Sequence, residues 1–169
     1  MKRVLCFFTI FLTSLLSYGQ GKQDFASRFM QLSKEDTAVH CITVSPHMMG
    51  QMLKAPGAEQ NENINRIISK LKSARIITVN RRGEDYYQYA EQMLEKNKYR
   101  FQRDKSYQNT HISGCFYIRT KGSEIVELVM IHKDTKGGKF ILINLTGKID
   151  EEFISNLTRM WNGHTAKLK

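Results

Sequence analysis

Proline and tryptophan are scarce: the 169-residue chain has two prolines and one tryptophan. It has no Pro-rich linker, low-complexity tract or internal repeat, so nothing divides it, and its length suits one domain with a real core. Three cysteines are present and none forms a CxxC pair. HExxH is missing, as is any paired-carboxylate motif in a recognisable setting. The usual marks of zinc, dithiol and acid–base carboxylate chemistry are therefore absent, and no cofactor or metal ligand set is expected. Acidic residues are in deficit, 16 against 26 Lys and Arg, for a formal net charge of +10. The longest apolar run, Val4 to Leu16, is 13 residues, short of the roughly 20 that cross a bilayer.

That run sits in a recognisable place. Met1-Lys2-Arg3 is a positive start, the apolar run follows, and Ser17-Tyr18-Gly19 sets small residues at the −3 and −1 positions. This is the secretory signal pattern, with cleavage expected after Gly19. Residues 1–19 read as a signal peptide and 20–169 as a single α+β domain; a retained anchor is the alternative. Cys6 lies inside the apolar run, so no lipoprotein box is formed. Cleavage leaves a net +8. An exported chain meets no genomic DNA, so the expected partners are an envelope protein or an anionic envelope surface, not nucleic acid, with no stable membrane span.

The strongest structural signal lies between Glu124 and Thr146, where two aliphatic runs flank the loop Asp134-Thr135-Lys136-Gly137-Gly138. This predicts a β-hairpin. The loop lacks P-loop spacing and opens no helix, so it is not a phosphate cradle. Val126, Leu128, Met130, Ile141, Ile143 and Leu145 share one face, expected to be the core face. The other face carries Val129, Ile131, Phe140 and Leu142 between Glu127 and Asn144. Burial under the protein's own helices is the ordinary reading of that second face. An apolar contact surface for a partner is the other.

The remaining chain predicts a helix from Asp24 to Ser33 with Phe25, Phe29 and Leu32 on one face, a strand over 38–44, and a helix opening at Ser45-Pro46. A helix from about Asn61 to Ser73 then runs into a strand, 75–79. A helix over 84–96 follows. Tyr99 to Arg103 reads as an edge strand, Lys105 to Ser113 as a polar loop, and 114–121 as a strand. Asp150 caps a last helix carrying Phe153, Ile154, Leu157, Met160 and Trp161, ended by Asn162-Gly163. The last four strands should form an antiparallel meander. The expected fold is α+β: a meander-rich antiparallel sheet with helices on at least one face.

Four segments in order, VHCITVSPHMMGQML, IISKLKSARIITV, the strand pair ending in LINLTG, and DEEFISNLTRM, resemble the domain-of-unknown-function family 4252, small exported proteins of Bacteroidetes. The resemblance covers about residues 25–160 and rests on structural motifs. It implies no activity, and at most an envelope-sensing role. In such an organism Asp36-Thr37-Ala38 resembles a short O-glycosylation sequon on Thr37.

Candidate chemistry is sparse. His40 and Cys41 are adjacent on a strand and point to opposite faces. Cys115 with His111 or His132 is a nominal nucleophile–base pair without an elbow around it. His47, Met48, Met49 and Met52 are a soft-metal set in name, but methionine at helical spacing is ordinarily core filling. A bridge between Cys41 and Cys115 needs their strands to be neighbours or facing; buried free thiols are the alternative. Lys70, Lys72, Arg75, Arg81, Arg82, Arg100 and Arg103, with aromatics interleaved, form a candidate face for an anionic ligand, glycan or lipid head group, against the plain reading of a solvated surface. The sequence reads best as a non-enzymatic exported module that binds another envelope component; its alternative is a binder using this basic-aromatic face.

Overall fold

A computed structural model describes residues 23–34, 36–53, 66, 68–108, 112–134 and 138–164. Among them the elements are α1 (Phe25–Leu32), β1 (Val39–Val44), α2 (Pro46–Leu53), β2 (Leu71–Val79), α3 (Gly83–Lys96), β3 (Gln102–Gln108), β4 (Ile112–Lys121), β5 (Glu124–Asp134), β6 (Phe140–Ile149) and α4 (Glu151–His164). The six strands make one sheet in the order β1-β2-β6-β5-β4-β3, and every pairing is antiparallel. The fold is α+β, with the expected meander over β3–β6. The signal segment and residues 61–65 of the helix expected before β2 lie outside the described residues.

Period-two alternation in β4, β5 and β6 sends apolar side chains to both sheet faces, and both are covered. On the first face, Val129, Ile131, Phe140 and Leu142 pack beneath Phe25 and Phe29 of α1 and Tyr87, Ala90 and Leu94 of α3. All four strand residues are 0% exposed, which corrects the expectation of a partner-contact face there. Each such side chain contributes about 1.5–3 kcal/mol by leaving water, so two amphipathic helices are the stable cover. On the second face, Leu128, Met130 and Leu145 are buried with Phe116 and with Ile154 of α4, while Ile143 is half-buried.

Three predicted segments differ. The described helical residues before β2 end by Lys70, and β2 starts at Leu71 rather than Arg75. A bulge between Leu71 and Ser73 shifts its register, opposite Gly147 at φ 140°. A Cβ there would lie 2.5 Å from the Lys70 carbonyl oxygen, so only glycine fits. The predicted loop over 105–113 is largely strand: β3 is Gln102–Gln108, while Tyr99 and Arg100 sit in the turn after α3. Charges at 103–105 blunt this sheet edge, as edge strands require. The last helix continues past Asn162-Gly163 to His164.

Leu32 and Met48 also depart from expectation, 64% and 46% exposed. Neither fills the core.

Candidate functional site

The predicted basic face is not assembled. β2 spans nine residues, roughly 30 Å, and holds Lys70 and Arg81 beyond opposite ends. Arg103 is on β3 at the far edge of the sheet from β1. Most of these cations have carboxylates of their own: Lys70 with Asp150 at 3.5 Å, Arg75 with Asp24 at 2.8 Å, Arg82 with Asp85 at 2.9 Å and Arg103 with Glu91 at 3.6 Å. Arg100 donates to the Gln23 carbonyl and lies 5.6 Å from the Phe101 ring centroid. Lys72 and Arg81 are exposed.

The cysteines are not bridged. Both are free, Cys41 exposed and Cys115 buried. β2, β6 and β5 lie between their strands, which places the two roughly 19 Å apart across the sheet. Cys115 pairs in register with Ile131 and His132 with Gly114, so the thiol and the imidazole point to opposite faces and cannot act together. The thiol meets the Tyr87 hydroxyl at 3.4 Å, and burial pushes its pKa up, away from thiolate. His111 lies outside the described residues. Among the described residues no group of three His, Cys, Asp or Glu side chains is placed to hold a metal ion.

What the fold does build is a groove of about 540 Å³ between the end of α1 and the start of α3, lined by Leu32, Ser33, Asp36, Thr37, Arg82, Asp85, Tyr86 and Tyr89. Its first wall follows from a helix stop. Ser33 N–H closes on the Phe29 carbonyl at 3.0 Å, Asp36 N–H returns to Ser33 O at 3.1 Å, and the Asp36 carboxylate accepts the Ala38 N–H at 2.9 Å. The chain therefore turns tightly into β1, with Thr37 exposed on the turn.

The second wall is α3. Arg82 adopts a left-handed conformation, φ 57°, and Gly83 N–H donates to Gly138 O at 2.6 Å, tying the helix start to the β5–β6 loop. The helix carries more tyrosine than one face can bury. Tyr87 goes into the core, and Tyr86 and Tyr89 flank Phe29 with ring centroids 6.4 and 5.7 Å away. The Tyr86 hydroxyl donates to the Asp36 carboxylate across the groove. That bond, with the Ala38 N–H, holds Asp36 below its ordinary pKa. Burial and the same bond push Tyr86 up to about 12. Asp85 raises Arg82 further. With two carboxylates and one guanidinium, the groove is acidic within a basic chain.

Sequence reasoning singled out Arg82 and Thr37 but missed Asp36, Asp85, Tyr86, Tyr89 and the exposed Leu32 as a set. The surplus of tyrosines on α3 was the available signal.

An antiparallel six-stranded sheet covered by helices on both faces, with a groove at one end of a helix pair, defines a small α+β module. The chain belongs to the family described as a domain of unknown function, DUF4252, whose match spans residues 29–157. No curated protein matches the chain.

Proposed function

We propose that this protein is an exported, non-catalytic binding module, and that the α1–α3 groove receives an extended segment of another cell-envelope protein. One observation carries the reading. Five large apolar side chains are exposed among the described residues, and two of them, Leu32 and Tyr89, stand on this one groove. Exposed apolar groups gathered in a concavity with a few fixed polar groups suit a docked partner segment. The net acidic lining favours a segment with a basic side chain beside an apolar one. The separation of Cys115 from His132 and the raised thiol pKa support binding over nucleophilic catalysis. Export rests on the sequence pattern of residues 1–19. Among the described residues no helix is long and apolar enough to cross a membrane.

The test is recovery of the partner from native envelopes with wild-type protein and with Leu32→Ser and Tyr89→Ser. Leu32 is 64% exposed, while Tyr89 is 36% exposed with its ring against Phe29, so an unchanged urea midpoint first shows that each variant is folded. The reading expects at least a tenfold loss of the recovered protein. Unchanged recovery would contradict it.

A second reading, binding of a small glycan or anionic ligand, is favoured by the polar cleft on the other flank of α3.

A further inference from the structure

That cleft, of about 360 Å³, lies between α3 and the β3–β4 edge. Its volume falls within the range of small-molecule sites, roughly 300–1,000 Å³. We propose that it binds a single sugar unit, either free or at the end of a glycan. This narrows the second reading above and is independent of the groove.

The floor follows from strand register. Gln108 pairs with Ser113 and Ser113 with Lys133, while Ser106 pairs with Cys115. These residues therefore present one sheet face, and Ser106, Gln108, Ser113 and Lys133 line the cleft. α3 supplies the wall through Tyr87 and Glu91. Arg103, opposite Tyr117, closes the far end. Four residues of β4 separate these two ends, roughly 13 Å.

Ser113 points to a ligand. Its hydroxyl oxygen is shielded from solvent and has no hydrogen-bond partner among the described residues. A buried hydroxyl left unpaired is costly, and native folds ordinarily satisfy such groups.

The lining chooses the ligand class. Lys133 is paired with Glu84 at 2.6 Å and also lies 4.7 Å from the Tyr87 ring centroid; Arg103 is paired with Glu91 at 3.6 Å. Each cation already has its carboxylate, so the cleft offers no excess positive charge to a bare phosphate or sulfate. It offers hydroxyls, an amide, a carboxylate and guanidinium or ammonium donors within one small volume, the mixture of donors and acceptors that a polyhydroxylated ring satisfies.

Ligand-observed NMR on the mature chain tests this, using glucose, galactose, mannose, N-acetylglucosamine and glucuronate as free probes, and the methyl glycoside of any hit to mimic a glycan end. The expected result is saturation transfer to at least one sugar, weakened about tenfold by Ser113→Ala and by Glu91→Gln, the loss of one or two hydrogen bonds. A methyl glycoside that binds as well as the free sugar assigns the site to a glycan end; one that does not assigns it to a free sugar. Ser113→Ala removes an unpaired hydroxyl, so its urea midpoint should stay at or above that of the wild type, separating lost binding from lost folding. Leu32→Ser with Tyr89→Ser must leave sugar binding unchanged, which distinguishes failure here from failure of the groove. No transfer to any probe, or transfer indifferent to both cleft variants, would overturn the proposal.

Discussion

The Glu127 carboxylate accepts the backbone N–H of Phe25 at 2.7 Å, although 102 residues separate them in the chain. Glu127 is fully buried, and it also receives Asn144 Nδ2 at 3.0 Å and Arg119 Nε at 2.7 Å. Asn144 in turn accepts the Ala26 N–H at 2.9 Å, and Asp24 accepts that of Ser27 at 2.7 Å. The first amides of α1, which no helix can satisfy internally, are thus met by Glu127 and Asn144 of the sheet beneath and by the helix's own cap, Asp24. This contact positions α1, and with it the groove wall at Leu32.

Glu127→Ala should destabilise the protein by about 3 kcal/mol, because it strands the Phe25 amide and the half-buried Arg119 charge together. Glu127→Gln keeps an acceptor for Phe25 and should cost less. Urea unfolding of both variants measures this; equal midpoints with wild type would show the network to be dispensable.

Gly83→Ala should weaken the link between α3 and the β5–β6 loop. A Cβ there would sit 2.2 Å from the Gly138 carbonyl oxygen, and that neighbour is backbone, which cannot rotate aside. A loss of about 1–3 kcal/mol is expected, with faster hydrogen exchange at the start of α3. A variant as stable as wild type would mean that the loop gives way freely.

Stability should fall on mild acidification because of His132. Burial holds its pKa below the usual 6.5, and its Nδ1 sits 2.9 Å from the Tyr107 hydroxyl. The unfolded chain therefore binds the proton first. Stability is flat above about pH 6.5 and declines as pH drops below it, toward the lowered folded value. Urea midpoints between pH 7.5 and 5.5 should show this slope in wild type and lose most of it in His132→Gln. An identical slope in both would assign the effect to other groups.

Thiol labelling should distinguish the two cysteines. In the native state an aromatic disulfide reagent should modify Cys41, which is exposed, while Cys115 should react only after unfolding, since its thiol is buried and its pKa is raised. Intact mass under non-reducing conditions should show no intramolecular bridge. Loss of two hydrogen atoms relative to the reduced mass would contradict the separation of β1 and β4.

Much of the fold was legible because β5 and β6 are aliphatic runs either side of a double-glycine loop, and α1 and α4 carry ordinary caps at Asp24 and Asp150. β3 was not, because an edge strand with both faces near solvent shows no apolar alternation, and QRDKSYQ reads as loop. The start of β2 was hidden by its bulge at Lys72, which breaks the period. The cover over Val129 and Phe140 was one of two open readings, since strand patterns do not say where helices dock. The basic residues misled because nearness in sequence is not nearness across a sheet. The groove was largely illegible: it joins a turn at Asp36 to a helix flank at Tyr86 through a tertiary contact.

The most direct test is site-specific photo-crosslinking in native cells, with a photoreactive residue at Tyr89 in the groove and, as control, at Tyr99, which is 80% exposed and outside it. The account predicts one discrete adduct with an envelope protein from position 89, mapped to an extended apolar and basic segment of that partner, and none from position 99. The same adduct from both positions, or none from position 89, would contradict the groove as the contact site.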